Sequence, residues 1–235
     1  MRIAKFISHC GYCSRREAEK LIKKDRVKIN SLICNNPATK VLVNDEILIN
    51  NKKLKLQKNI KLWKFYKPTG VVTTSRDEKG RKTIYDILPK SLNKIISIGR
   101  LDINSEGLIL FTNNGDLARY FELPKSQLKR VYKVKVQGNV QKKQLQFLSK
   151  GIKIQGIKYK PIKAKLEKKL NTNSWIFMEL MEGKNREIRK ICSNFGWRVN
   201  KLIRIKYGEF EIGNLKYGEI KEIKNHIYND KNNWR

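Results

Sequence analysis

The 235-residue chain carries 53 Lys and Arg against 21 Asp and Glu, a net charge of +32. That excess is more than solubility needs. Part of it is solvated lysine-rich surface, but its spread through periodic apolar segments implies a polyanionic partner, a nucleic acid in the first instance. No run approaches the ~18 apolar residues of a membrane-spanning helix, no long apolar signal core follows Met1, and four cysteines make no disulfide framework, so the expectation is a reducing cytoplasm and no membrane.

In chain order, Ile3, Ala4, Phe6 and Ile7 have helical spacing. Cys10-Gly11-Tyr12-Cys13 has zinc-like spacing but no second pair, since Cys34 and Cys192 stand alone, and reads better as two small residues at a helix boundary. Ser14-Arg15-Arg16-Glu17 fits a capping box, and Ala18, Leu21 and Ile22 give the following helix an apolar face. Its other faces carry Arg15, Arg16, Lys20, Lys23 and Lys24. Cations at a helix N-terminus oppose its dipole, which a phosphate partner for Arg15 and Arg16 explains better than an ordinary exposed helix start. Val27–Asn30 alternates as a short strand, Asn30-Ser31 is a turn, and Asp45–Ile49 is a closing strand. Asn50 to Asn59, polar and lysine-rich, reads as a linker. Residues 1–58 therefore form one unit with its linker and 59–235 a second.

The second unit opens with a strand over Leu62–Lys67, a turn at Pro68-Thr69-Gly70, and a continuing strand over Val71–Thr74. Between the apolar runs at Ile95–Ile98 and Leu108–Phe111 lies Gly99-Arg100-Leu101-Asp102-Ile103-Asn104-Ser105-Glu106-Gly107, an acid on a loop beside an arginine. Asp102 is either a turn former bonded to its own backbone or a positioned acid. Tyr132–Val136 alternates apolar and basic as a half-buried strand, so Tyr132 is either core or an aromatic that stacks on a base. Gln141–Leu148 reads as a short helix and Trp175–Leu180 as a buried strand. Arg186–Phe195 reads as a helix with Ile188, Ile191 and Cys192 inward and Arg189 and Lys190 outward. It is either a basic exposed helix or the source of an arginine that pairs with the Asp102 carboxylate. The mixture is α+β, with the second unit on a large, mostly antiparallel sheet. Residues 225–235 are expected to fray.

Several chemistries are absent. The two histidines, His9 and His226, lie near opposite ends, and no phosphate loop, dinucleotide fingerprint or acidic cluster for Mg²⁺ occurs. The reading is a site without metal or cofactor.

The stretch from Ala4 to Ile49, with its SRR-x-A helix start, RV-x-I-N strand and D-x-I element, resembles an S4 RNA-binding domain. The run Gly99 to Gly115, the strand bearing Arg130, Tyr132 and Val134, and Glu182 to Lys190 follow in that order. Together they resemble the pseudouridine synthases that include the small-subunit rRNA enzyme A and the large-subunit enzymes B, E and F. With Leu202–Gly208 the likeness leans towards the B branch. An arginine, Arg130, stands where that family usually has lysine.

The resemblance implies a cofactor-free isomerase acting on ribosomal RNA, 23S rRNA in particular, as a stem-loop or in the assembling large subunit, with 16S rRNA as the alternative target and a monomer as the working form. It implies Asp102 as the catalytic carboxylate, Arg189 as its basic partner, Tyr132 stacking on the target base, Leu202 as an apolar pocket residue, and Arg100 on the flipped nucleotide. Lys64, Lys67, Lys184 and Arg186 would then contact phosphate, with Arg15, Arg16 and Lys20 on the RNA. Competing readings are a non-catalytic ribosome-assembly factor and a carboxylate-dependent glycosylase or nuclease. The latter needs a second acid, for which Glu106 is the nearest candidate.

Overall fold

The computed structural model describes residues 1–42, 44–55, 59–92, 94–224 and 227–229. His226 and most of the expected fraying tail lie outside them.

The N-terminal unit packs two helices, α1 (Ile3–His9) and α2 (Arg15–Lys23), on a four-stranded sheet of β1 (Val27–Ile29), β2 (Leu32–Ile33), β3 (Ile47–Ile49) and β4 (Lys52–Lys53), in the order β2-β1-β3-β4. The capping box forms: Glu17 N–H donates to Ser14 Oγ at 3.3 Å, and Ser14 N–H donates to Glu17 Oε2 at 2.9 Å. Asn30 and Ser31 both have positive φ, 46° and 71°, the mirror-image turn whose twist suits a tight hairpin. Asn50 and Asn51, at 49° and 62°, repeat it. The expected linker therefore begins inside the sheet, because the Asn50-Asn51 turn leads β3 into β4. Ile3, Ile7, Ala18, Ile22, Val27 and Ile49 form a core of their own.

The larger unit contains β5 (Leu62–Lys67), β6 (Ile96–Ile98), β7 (Glu106–Thr112), α3 (Gly115–Glu122), β8 (Arg130–Gln137), α4 (Lys142–Phe147), the hairpin β9 (Ile152–Ile154) and β10 (Ile157–Tyr159), β11 (Lys163–Lys169), β12 (Asn173–Leu180), α5 (Glu187–Asn194), β13 (Arg198–Tyr207), β14 (Phe210–Glu211) and β15 (Ile220–Ile223). The main sheet runs β11-β12-β8-β13-β7-β5-β15, with β14 on β13 and β6 on β7. All of these pairings are antiparallel except β13 with β7. The α+β expectation with a mostly antiparallel sheet holds.

Every residue of β7 is buried, because Ile109 and Phe111 face one core and Leu108 and Leu110 face another. A strand covered on both faces reads as an unbroken apolar run. By contrast β12, expected to be buried, alternates buried and half-buried residues and covers only one face. The parallel contact of β7 with β13 needs Gly107, which has φ 110° and where an added Cβ would lie 2.4 Å from the Arg204 carbonyl oxygen.

Val71–Thr74 is not a strand. Only Val72 bridges, to Thr83, and the segment is a loop. Its reason is local: Thr73 Oγ1 donates to the Leu101 carbonyl at 2.9 Å and accepts Leu101 N–H at 3.3 Å, so the backbone is tied to a loop instead of a ladder. No helix among the described residues is long and apolar enough to cross a membrane.

Candidate active site

The turn between β6 and β7 carries Asp102 and is fixed from several sides. Ser105 N–H closes it on the Asp102 carbonyl at 3.0 Å, and Gly70 N–H reaches the Ile103 carbonyl at 2.9 Å. Gly99 N–H donates to Glu122 Oε1 at 2.8 Å, from the end of α3. Lys67, at the end of β5, donates from Nζ to the carbonyls of Ser105 (2.8 Å), Pro68 (2.9 Å) and Asp102 (3.2 Å). Arg189 Nη2 donates to the Asn104 carbonyl at 2.8 Å and approaches Ser105 Oγ at 3.4 Å. The turn is thus closed by backbone and by neighbouring cations, and the Asp102 carboxylate is left pointing outward, its side chain 34% exposed.

That carboxylate opens onto a cleft of about 350 Å³. Arg100, Asp102, Tyr132, Lys184, Arg186, Arg189 and Leu202 all line it. Four segments far apart in sequence therefore converge on one space. Tyr132 on β8 and Leu202 on β13 come from neighbouring antiparallel strands and are 9% and 6% exposed, an apolar floor beneath the acid.

Two expectations need correction, and a third residue lies outside the cleft. Lys67 was expected on phosphate, but it is fully buried with its ammonium spent on loop carbonyls, so it cannot reach a surface strand. Burial pushes its pKa down to about 8, against the pull of Asp102 and Glu106. Lys64, three residues back, does not line the cleft and is half-buried. Arg189 was expected to face outward and pair with Asp102. It turns inward to the loop backbone, and the direct ion pair to Asp102 Oδ2 comes from Arg186 Nη1 at 3.6 Å. Arg186 precedes the helix in left-handed backbone, φ 51° and ψ 32°, and this aims its side chain across the loop towards the acid. Arg15, Arg16 and Lys20 are exposed on α2, with Arg15 near Glu19 at 3.7 Å.

Other groups were not anticipated. Arg204, 2% exposed, lines the cleft, donates from Nε to the Leu108 carbonyl at 2.7 Å, and has no partner for Nη2 among the described residues. Tyr207 lies between two guanidiniums, with Arg130 Cζ 4.8 Å and Arg204 Cζ 5.0 Å from its ring centre. Its hydroxyl accepts from Arg130 Nη2 at 3.2 Å and donates to the Phe121 carbonyl at 2.8 Å. The signal for Arg204 was an arginine sharing the inward phase of β13 with Leu202. Glu182 and Glu187 form a carboxyl pair on the cleft wall. Burial pushes Glu187 up to about 7, helped by Glu182 and opposed by the Lys184 N–H that it accepts at 3.0 Å. Lys184 Nζ meets Glu182 at 3.1 Å, the Lys158 carbonyl, and the Tyr159 ring at 5.4 Å.

Glu106, the candidate second acid of a hydrolase, does not line the cleft. It is buried at the start of β7, held by Lys201 Nζ at 3.0 Å and near Tyr66 Oη at 3.5 Å. Burial pushes the thiols of Cys10 and Cys13 up to about 11, and among the described residues no group of three or more His, Cys, Asp or Glu is arranged to hold a metal.

Comparison with known proteins accounts for this arrangement. Residues 61–194 match the family of RNA pseudouridylate synthases, and residues 1–47 match the S4 domain. An uncharacterised RNA pseudouridine synthase of Rickettsia bellii is 49% identical over 97% of this chain and 98% of its own length. The ribosomal large subunit pseudouridine synthase B of Bacillus subtilis is 36% identical over 96% and 93%, and that of Buchnera aphidicola from Schizaphis graminum is 40% identical over 93% and 88%. A crystal structure of a pseudouridylate synthase, 28% identical, superposes with a TM-score of 0.67 over 95% of this chain and 96% of that one. With its acid-bearing turn, basic cleft and S4 unit, the chain belongs to the RNA pseudouridine synthase family.

Proposed function

We propose that this enzyme isomerises a uridine of large-subunit ribosomal RNA, with Asp102 as the reacting carboxylate. The observation that carries the reading is the Asp102 turn: a carboxylate on a turn whose backbone is bonded by Lys67 of β5, Glu122 of α3 and Arg189 of α5, 3.6 Å from a guanidinium and in one cleft with Tyr132 and Leu202. The large-subunit target is supported by the relatives named synthase B.

Pseudouridine formation breaks the uridine N1–C1′ bond, turns the base and joins C1′ to C5. Asp102 either attacks C1′ or removes the 2′ proton, and both routes use an ionised carboxylate in a sheltered cleft. Arg186, 3.6 Å from Asp102 Oδ2, orients it. The target base must leave its stack, at a cost of roughly a few kcal/mol. Stacking on Tyr132 and contacts of the strand with Arg100, Lys184 and Arg186 offset this cost. Arg15, Arg16 and Lys20 of the 1–58 unit hold structured RNA outside the cleft. The enzyme works on this reading as a cytoplasmic monomer without a cofactor.

The test incubates the protein with 16S and 23S rRNA transcripts and maps pseudouridine in each. The expected result is a single new pseudouridine in 23S rRNA and none in 16S. Modification confined to 16S would overturn the subunit assignment, and free uracil in place of pseudouridine would overturn the isomerase chemistry.

A further inference from the structure

A second depression, of about 370 Å³, is lined by residues of α5 and of the start of β13. Its lining includes Arg186, Arg189 and Arg198 with Ser193 and Trp197, and it contains no carboxylate. The catalytic cleft, in contrast, mixes its cations with Asp102, Glu122, Glu182 and Glu187. Arg186 and Arg189 line both spaces, so the first turn of α5 forms a wall shared between them. Arg189 Nε is buried without a partner among the described residues, and Arg198 is exposed at the start of β13 with no ion pair among them. Arg186 keeps its ion pair with Asp102 on the cleft side, but Arg189 and Arg198 have no carboxylate partner among the described residues, and an anion in the depression would relieve the repulsion of the three guanidiniums. The planar guanidinium fork matches phosphate oxygens two at a time.

We propose that this depression is a phosphate subsite, which takes the RNA phosphodiester next to the nucleotide turned into the catalytic cleft. The inference rests on the reading that the target uridine enters the cleft at Asp102. A strand leaving that cleft over the first turn of α5 passes Arg186 and Arg189 and meets Arg198 next. Arg198 is then a binding residue with no part in the chemistry: it anchors the flanking strand while Arg186 serves both spaces.

The experiment uses the full-length protein and the 23S rRNA transcript. Filter binding is measured from 50 to 300 mM salt for wild type, Arg198→Gln, Ser193→Asp and the charge-matched surface control Lys143→Gln. One lost phosphate contact lowers the slope of log K against log salt by about 0.7–0.9, which is about sixfold in affinity at 0.1 M salt. The expected result is that loss for Arg198→Gln, an equal or larger loss of affinity for Ser193→Asp, an unchanged slope for Lys143→Gln, and a single-turnover rate at saturating transcript within twofold of wild type for Arg198→Gln. A slope for Arg198→Gln equal to wild type, or a loss shared equally by Lys143→Gln, overturns the subsite. A normal slope change with a collapsed saturating rate overturns the separation of Arg198 from the chemistry. Absence of pseudouridine from the wild-type reaction counts against the isomerase reading alone, because the salt slopes are read without turnover.

Discussion

Lys67 illustrates how a single buried cation fixes the acid-bearing turn. Three carbonyls, two of them from residues 35 and 38 positions away in sequence, accept its ammonium. Replacing it by methionine keeps the volume but leaves those carbonyls unpaired, at about 1–3 kcal/mol for such a buried group. Lys67→Met is therefore expected to unfold at lower denaturant and to lose turnover more than RNA affinity, and a variant with wild-type turnover would show that the clamp is dispensable. Glu187 sets a pH dependence. Its folded pKa, raised by burial to about 7, exceeds its ordinary 4.5. The folded protein therefore holds a proton that the unfolded chain releases between those values. Stability from this group is fully present below pH 4.5 and is lost as pH rises to about 7, partly offset by Glu182, whose own pKa is lowered. Glu187→Gln is expected to flatten that window and to gain on the order of 2 kcal/mol at pH 8. An unchanged profile in chemical denaturation from pH 4 to 9 would contradict it.

At the scale of elements, the first turn of α5 and the β7–β13 contact arrange the site. Arg186 and Arg189 lie three residues apart, yet one faces the acid and the other the loop backbone. Arg186→Gln is expected to lower kcat by ten- to a hundredfold with little loss of stability, whereas Arg189→Gln should lower both, since it removes a bond that holds the turn. Equal effects on stability would contradict this division. Gly107→Ala drives a methyl group into the β13 backbone and strains a positive φ, a cost of about 3 kcal/mol or more in thermal or denaturant unfolding. The acid-bearing turn was legible in the sequence because Gly, Asn and Ser between two apolar runs admit few structures. The roles of Arg186 and Arg189 were not, because helical spacing from Ile188 and Ile191 gives the inward face but not the left-handed residue that starts the helix. Lys67 was misread for a related reason: a lysine that alternates with Trp63 and Phe65 on an inward face signals burial, but its carbonyl partners come from loops that sequence spacing does not connect. Likewise the Asn50-Asn51 hairpin was hidden in a lysine-rich stretch whose composition resembles a linker.

At the scale of the molecule, the +32 charge is spread over both units, and polar contacts among the described residues join them. Lys5 of α1 pairs with Asp116 of α3 at 2.6 Å, with His9 Nδ1 4.0 Å from the same carboxylate, and Lys94 lies 6.0 Å from the Tyr12 ring centre. Each unit has its own apolar core, so removal of residues 1–58 is expected to leave the larger unit folded, to weaken binding to structured rRNA, and to flatten the salt dependence of that binding. An unchanged salt slope would argue that the S4 unit does not clamp RNA.

The central claim concerns Asp102. Joining C1′ to C5 displaces the hydrogen at C5, so tritium placed at C5 of uridine is released to water with each turnover. The most direct measurement is tritium release from labelled 23S transcript by wild type and by Asp102→Asn at equal RNA occupancy. The account predicts stoichiometric release by the wild type and none above background by the variant, with RNA affinity within about threefold of wild type; release by Asp102→Asn at a rate near that of the wild type would contradict it.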